Sequence, residues 1–144
     1  MLFALGKGHE EVVIAMKKIL IVEDEIELLE LIKTRLEANG FVVIETKDGQ
    51  EALDKVFKEK PDLIVLDLML PKIDGGSVCN QLKKSKEYCH IPILMLTAKD
   101  AEADIRLGKL QGADWYMSKP FDPGFLILKI NELLKKAGSL KTRK

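Results

Sequence analysis

From Lys18 onward, the chain alternates short apolar runs with longer segments in which apolar residues recur at helical spacing. Such runs predict strands that are buried on both faces, and the segments between them predict helices that pack against a parallel sheet. The predicted strands are Lys18–Val22, Phe41–Glu45, Leu63–Leu66, Ile91–Leu96 and Trp115–Ser118. We therefore expect an α/β fold with a doubly wound, five-stranded parallel sheet and five helices.

Turn and capping residues mark the predicted helices. Gly40 is a left-handed stop for a first helix over residues 25–38. Pro61 ends the second, because helical geometry is disfavoured immediately before proline. The later helices are predicted from Asp48-Gly49, after Asp74-Gly75, over Lys99–Leu110 and from Pro123. The polar, basic segment Gly138–Lys144 is typical of a frayed tail or a linker.

Acidic residues end two of the apolar runs: Glu23 and Asp24 follow the first predicted strand, and Asp67 follows the third. The carboxyl ends of parallel strands meet at one side of a sheet, where open α/β folds bind ligands. Carboxylates gathered there repel one another unless a cation neutralises them, and Mg²⁺ accepts carboxylate and phosphate oxygens together. The sequence therefore predicts a site for Mg²⁺ and phosphate.

Two more polar residues follow the neighbouring strands. Thr97 offers a hydroxyl donor and Lys119 a fixed positive charge, and both groups suit phosphoryl oxygens. An aspartate held at a strand end can attack phosphorus and form an aspartyl phosphate, so Asp67 is the candidate nucleophile.

Each of these residues also has an ordinary structural explanation. Glu23 and Asp24 could simply cap the first helix, where acids favour the helix dipole. A lysine or a threonine after a strand is common at the surface or in a turn. Asp67 is harder to explain in this way, because an acid between Leu66 and Leu68 needs compensation. The combination favours a phosphorylation site.

Composition narrows the function classes. Of the 144 residues, 47% are hydrophobic and 32% charged, which indicates one globular domain. Basic and acidic residues both number 23, so the net charge is zero and no direct contact with nucleic acid is predicted. The two cysteines lack metal-ligand spacing, and no signal peptide or membrane span is predicted. We therefore expect a cytoplasmic protein that does not insert into membranes.

Four segments, in order, resemble the motifs of a bacterial response regulator receiver domain, the phosphoacceptor module of two-component signalling. They are Lys18–Glu25, Pro61–Pro71, Leu96–Ala98 and Lys119–Phe121. The resemblance covers residues 17–137 and implies a flavodoxin-like fold with strand order 2-1-3-4-5.

The resemblance also implies a role for each matching residue. Asp67 would be the phosphoacceptor. Asp24, Asp67 and the backbone carbonyl of Met69 would bind Mg²⁺, and Glu23 would hold a metal-bound water.

Further roles concern the response to phosphorylation. Thr97 and Lys119 would sense the phosphoryl group, and Ala98 would be small to leave access. The Lys119–Pro120 bond would be cis. Tyr116 matches the aromatic switch residue whose ring moves inward when Thr97 is drawn to the phosphoryl group.

Some positions depart from the family pattern. Many receivers joined to winged-helix domains have a second acid where this chain has Trp115, which could anchor an apolar partner or pack locally. Met69 and Lys99 occupy positions that tune hydrolysis of the acyl phosphate in the family. Because an apolar Met69 cannot orient an attacking water, we expect a long-lived phosphoryl group.

The predicted function is that of a phosphorelay receiver. A histidine kinase or histidine phosphotransfer protein would donate the phosphoryl group, and a downstream protein would bind the face made by the fourth helix, fifth strand and fifth helix. Only self-phosphorylation and slow self-dephosphorylation are expected, not metabolic catalysis. The alternatives are an unphosphorylated scaffold with this fold and an aspartyl-phosphate hydrolase, which usually needs a second acid where Met69 stands.

The predicted organisation has three parts: residues 1–16 as an N-terminal extension, 17–137 as the receiver domain and 138–144 as a basic tail. Codons for Glu10-Glu11-Val12 can resemble a ribosome-binding site a few codons before Met16. We therefore hypothesise that Met16 is the native start, the alternative being a short helix over Glu10–Lys17.

Overall fold

The computed structural model describes residues 2–5, 12–98 and 112–142, with side chains for 16–98 and 112–138. Its strands are β1 (Leu2–Leu5), β2 (Val12–Ala15), β3 (Lys18–Val22), β4 (Val42–Thr46), β5 (Leu63–Asp67), β6 (Ile93–Thr97) and β7 (Trp115–Ser118). Its helices are α1 (Ile26–Ala38), α2 (Gly49–Glu59), α3 (Gly75–Lys84) and α4 (Pro123–Thr142). All the predicted strands are confirmed, with boundaries that differ by two residues at most.

Strands β3 to β7 form one sheet in the order β4-β3-β5-β6-β7, and all neighbouring pairs are parallel. The expected order 2-1-3-4-5, counted from β3, is therefore confirmed. The strand order reverses beside β3, because β4 lies on one side of it and β5 on the other. A crevice opens at such a point at the carboxyl ends of the strands, which is where Glu23 and Asp67 stand.

Both faces of this sheet are buried. Ile19 and Ile21 pack in a cluster with α1 and α4, whereas Leu20 and Val22 pack in a second cluster with α2 and α3. This division follows from the alternation of side chains along a strand. Every residue of β5 and β6 is buried. Burial on both faces explains why these strands are continuous apolar runs.

Aspartates cap two of the helices. Asp48 Oδ1 accepts the backbone N–H of Glu51 at 2.8 Å before α2, and Asp74 Oδ1 accepts that of Ser77 at 2.9 Å before α3. α2 ends at Glu59, and the residue after it, Lys60, has a left-handed φ of 49°, so the predicted stop before the proline is confirmed.

The described part of the chain has four helices rather than the predicted five. The predicted helix Lys99–Leu110 lies outside the described residues. The last helix, α4, continues to Thr142, so the backbone is helical where the sequence predicted a frayed tail from Gly138. One glycine inside a helix costs only about 1 kcal/mol, which good helix formers on both sides offset. No helix within the described ranges is long and apolar enough to cross a membrane.

β1 and β2 form a separate antiparallel pair, in which Leu2 lies opposite Ala15. The alternative prediction of a helix over Glu10–Lys17 is wrong, because β2 occupies Val12–Ala15. Three β-branched residues in succession favour an extended backbone at this position.

Candidate functional site

The ends of four adjacent parallel strands carry the residues of the predicted site. In chain order these residues are Glu23 and Asp24 after β3, Asp67 at the end of β5, Thr97 at the end of β6, and Lys119 after β7. β5 pairs with both β3 and β6, and β6 pairs with β7. The fold therefore brings these residues to one side of the sheet, with Asp67 in the middle.

The three acids form a candidate metal site. One carboxylate oxygen from each of Glu23, Asp24 and Asp67 lies within 4.8 Å of the other two. Glu23 and Asp67 are 0% and 4% exposed, whereas Asp24 is open to solvent. An all-oxygen set with one solvent-facing member suits a hard cation such as Mg²⁺, which keeps several of its waters.

Lys119 places a positive charge among these acids. Its Nζ lies 2.9 Å from Glu23 Oε1 and 3.2 Å from Asp67 Oδ2. Glu23 Oε2 accepts the backbone N–H of Glu25 at 3.0 Å, but the buried Oε1 contacts the ammonium without a well-aligned hydrogen bond. A buried oxygen in this position would gain from a metal-bound water or a second cation.

Burial is the largest influence on the pKa of Glu23 and on that of Lys119. Burial raises the pKa of Glu23 above its usual range and the nearby Asp67 charge adds to the rise, although Lys119 acts against it. Burial alone would lower the pKa of Lys119, but the carboxylates of Glu23 and Asp67 outweigh it and raise that pKa. Lys119 therefore stays protonated at neutral pH and supplies a fixed positive charge.

Thr97 is buried and is hydrogen-bonded to β7. Its hydroxyl donates to the backbone carbonyl of Met117 at 3.5 Å, and its own carbonyl accepts the N–H of Lys119 at 2.8 Å. The Lys119–Pro120 peptide bond is cis, as the resemblance implied. The ends of β6 and β7 are thus connected where the hydroxyl and the ammonium stand.

The loop after β5 carries Met69 close to Asp67. Its backbone N–H donates to Asp67 Oδ1 at 3.3 Å, and its side chain is 72% exposed. A thioether is only a weak acceptor and cannot take a proton from water as a carboxylate can. The position that a hydrolase would use for a second acid is therefore apolar.

The predicted switch residues lie on and beside β7. Ala98 follows Thr97 and is exposed, whereas Tyr116 is half-buried and burial raises the pKa of its hydroxyl. Trp115 is 38% exposed, and Lys129 Nζ lies 3.9 Å from its ring centroid. Trp115 is thus part of a surface cation–π pair rather than of the core.

Sequence reasoning gave no role to Lys129. This residue lies on α4, and its Nζ also contacts Glu132 Oε2 at 3.0 Å. A lysine and an aromatic residue are both ordinary on a surface, and their contact depends on how α4 crosses β7. The only sequence signal was that Trp115 interrupts a motif in which the family often has an acid.

A family model, the response regulator receiver domain, matches residues 19–131. Over 121 residues the chain is 51% identical to the alkaline phosphatase synthesis transcriptional regulatory protein PhoP of Bacillus subtilis, a match that covers 84% of this chain and 50% of PhoP. The chain spans about half the length of the curated relatives it matches.

Solved structures have the same fold. The receiver domain of Francisella response regulator 1452 superposes with a TM-score of 0.76 at 34% identity, covering 83% of this chain and 98% of that one. The chemotaxis response regulator CheY4 of Vibrio cholerae gives a TM-score of 0.76 at 31% identity, covering 83% and 99% of the two chains.

Proposed function

Because the chain belongs to the response regulator receiver domain family, we propose that Asp67 accepts a phosphoryl group in two-component signalling. The observation that carries the proposal is the setting of Asp67. Its side chain is buried at a strand end, Lys119 Nζ is 3.2 Å away, and two further acids lie within 4.8 Å. The proposed nucleophile, a fixed cation and the candidate metal donors therefore lie together.

The proposed donor is a phosphohistidine on a histidine kinase or a histidine phosphotransfer protein. An Asp67 carboxylate oxygen attacks the phosphorus, so that a P–O bond forms while the P–N bond to the donor imidazole breaks. The imidazole leaves with the electron pair of that bond. Lys119, whose Nζ lies 3.2 Å from Asp67 Oδ2, would neutralise the charge on the phosphoryl oxygens during transfer.

The residues present fit Mg²⁺. Asp24, Asp67 and the backbone carbonyl of Met69 would hold the ion, and Glu23 would hold one of its waters. Support comes from the all-oxygen donor set and from Glu23 Oε1, which is buried without a well-aligned hydrogen bond. When bound, Mg²⁺ supplies neutralisation of the charge that gathers on the phosphoryl oxygens.

The proposed switch begins at Thr97. Its hydroxyl, which donates to the Met117 carbonyl, would turn to a phosphoryl oxygen that Ala98 leaves accessible. Tyr116 would then move inward and change the surface of β7. Phosphorylation in this scheme favours one of two arrangements that exist beforehand, which is a population shift.

The proposed output is protein binding. The downstream partner would contact the face around Trp115 and Tyr116 on β7 and α4; the predicted fourth helix of this face lies outside the described residues. Self-phosphorylation and slow self-dephosphorylation are the only reactions we propose, with residues 17–137 as the receiver unit. We place the protein in the cytoplasm with its kinase, and assign these residues no direct contact with nucleic acid or membrane.

Acetyl phosphate with Mg²⁺ tests the proposal directly, because it supplies a phosphoryl group without a partner protein. Intact-mass measurement should show a single phosphoryl adduct on the wild type and none on Asp67→Asn. Asp54→Asn, an exposed acid on α2, is the matched control and should react as the wild type does. A wild type without an adduct would reject the proposal and favour the scaffold alternative.

A further inference from the structure

Helices α2 and α3 begin alike, with an aspartate cap followed by glycine, at Asp48-Gly49 and Asp74-Gly75. Glycine is a poor helix former, and turns usually select it for its access to positive φ. Neither Gly49 nor Gly75 has a positive φ, and the glycines of the described residues that do lie elsewhere. Backbone conformation therefore does not explain why both positions lack a side chain.

Gly75 is buried against the strand end that carries the acceptor. A Cβ on Gly75 would overlap the backbone oxygen of Asp67 and would lie 2.8 Å from Leu68 Cα. The end of a buried, paired strand cannot move aside as a flexible side chain could. The close approach also allows Gly75 N–H to donate to the Leu68 carbonyl at 2.8 Å.

Gly49 makes the corresponding contact from α2. A Cβ on Gly49 would overlap the carbonyl oxygen of Ile73 and would lie 2.7 Å from its carbonyl carbon. Gly49 N–H donates to the Pro71 carbonyl at 3.3 Å, and Lys72 Nζ lies 3.5 Å from Asp48 Oδ2. The first turn of α2 thus contacts the loop at Pro71 and Ile73, whereas the first turn of α3 contacts its beginning at Leu68.

We propose that Gly49 and Gly75 are positioning residues for the metal site at Asp67. The loop of residues 68–74 is fixed between the first turns of two helices, and this approach is possible because neither glycine has a side chain. The loop presents Met69, whose N–H donates to Asp67 Oδ1 and whose carbonyl is the proposed Mg²⁺ ligand. The inference rests on the function proposed above. A methyl group at either glycine displaces the loop and moves that carbonyl away from Asp67.

The test compares Gly75→Ala and Gly49→Ala with the matched control Gly76→Ala. A Cβ on Gly76 meets only side-chain atoms, the nearest being Asp74 Oδ1 at 3.2 Å. Mg²⁺ affinity is measured by titration calorimetry without a phosphoryl donor. We expect Gly75→Ala and Gly49→Ala to bind Mg²⁺ about tenfold more weakly, as for other residues that orient a metal ligand, and Gly76→Ala to match the wild type.

The reaction with acetyl phosphate adds a readout that general loss of structure would not give. The Mg²⁺ concentration for half-maximal phosphorylation should rise by the same factor as the dissociation constant. The maximal rate at saturating Mg²⁺ should change less, since Asp67 and Lys119 are retained. The inference would be overturned if the maximal rate fell by about tenfold while the Mg²⁺ concentration for half-maximal phosphorylation stayed unchanged.

Other results of these experiments also support or overturn the inference. A folded Gly75→Ala protein with wild-type Mg²⁺ affinity, or an equal loss in Gly76→Ala, overturns the inference alone. If Gly75→Ala does not fold, amide exchange in the wild type replaces it: slow exchange of the Gly49 and Gly75 N–H groups supports a fixed loop, and fast exchange contradicts it. A wild type that neither binds Mg²⁺ nor takes a phosphoryl group overturns the proposed function and this inference together.

Discussion

Lys119 Nζ lies closer to Glu23 Oε1, at 2.9 Å, than to Asp67 Oδ2, at 3.2 Å. The Glu23 side chain is 1% exposed and that of Lys119 is 25% exposed. The lysine therefore compensates the most buried acid of the site while it also faces Asp67, the proposed phosphoacceptor. Its effects on stability and on chemistry can be separated by mutation.

Replacing Lys119 with Met should lower the free energy of unfolding by about 2 kcal/mol at neutral pH, because Glu23 is left buried without a cation. The loss is expected to be smaller than for a fully buried pair, since Lys119 is partly exposed. Burial raises the pKa of Glu23, so the loss should shrink as pH falls through that pKa and Glu23 becomes protonated. Urea unfolding of both proteins in the presence of a chelator measures this loss in the free energy of unfolding. In a Glu23→Gln background the same change should cost less, because only Asp67 then loses its cation, and an equal cost in both backgrounds would contradict the explanation.

Replacing Met69 with Asn should shorten the life of the proposed phosphorylated state severalfold, because an amide beside Asp67 can orient an attacking water and an exposed thioether cannot. The measurement is the decay of the phosphoryl adduct by intact mass after acetyl phosphate is removed, with Mg²⁺ retained. Met69→Leu is the control and should decay as the wild type does. Equal decay in all three proteins would show that this side chain does not limit hydrolysis.

Trp115 should report phosphorylation by fluorescence. It is the one tryptophan of the sequence, it precedes Tyr116, and Lys129 Nζ lies 3.9 Å from its ring centroid. Acetyl phosphate with Mg²⁺ should change the emission of the wild type and leave that of Asp67→Asn unchanged. Lys129→Met should alter the starting emission, since it removes the cation from the ring. An unchanged wild-type spectrum on full phosphorylation would argue against a switch at β7.

The two cysteines should differ sharply in reactivity. Cys79 is fully buried and burial raises its pKa to about 11, whereas Cys89 is exposed. Because the thiolate is the reactive form, Cys79 should stay unreactive at mildly alkaline pH until the protein unfolds. A disulfide-exchange reagent should therefore label one thiol quickly in the wild type and none quickly in Cys89→Ser. Rapid labelling of both thiols would contradict the packing of α3.

Removing residues 1–15 should change the free energy of unfolding by no more than about 0.5 kcal/mol, the range of changes at surface positions. The reason is that β1 and β2 pair with each other in a sheet of their own. Urea unfolding of both proteins tests this expectation. Mass spectrometry of the endogenous protein tests the separate hypothesis that Met16 is the native start, which an intact peptide over Phe3–Lys17 would contradict.

Much of the fold was predictable because its signals are local. The run Leu63–Leu66 can be continuous and apolar because β5 is buried on both faces, and that pattern is visible in the sequence alone. Likewise, acids, a threonine and a lysine that end or follow adjacent parallel strands are expected to meet at the carboxyl ends of those strands. The candidate site followed from the order of residues, before any distance was known.

Only the tertiary structure decided those contacts and burials that depend on the angle and spacing between helices and strands. Glu23 and Asp24 are neighbours in sequence, yet one is buried against Lys119 and the other is exposed, because only one of them points into the crevice. The contact of Trp115 with Lys129 depends on where α4 crosses β7.

The Asp-Gly pairs that begin α2 and α3 also combine one feature that the sequence predicts with one that only packing decides. Their sequence predicts a cap and a turn, and both caps are present. That Gly49 must also admit the backbone of Ile73, and Gly75 that of Asp67 and Leu68, could not be predicted, since this close approach arises only when two helices and a strand are packed together. The sequence alone thus determined which groups gather at Asp67, and packing decided how they are held.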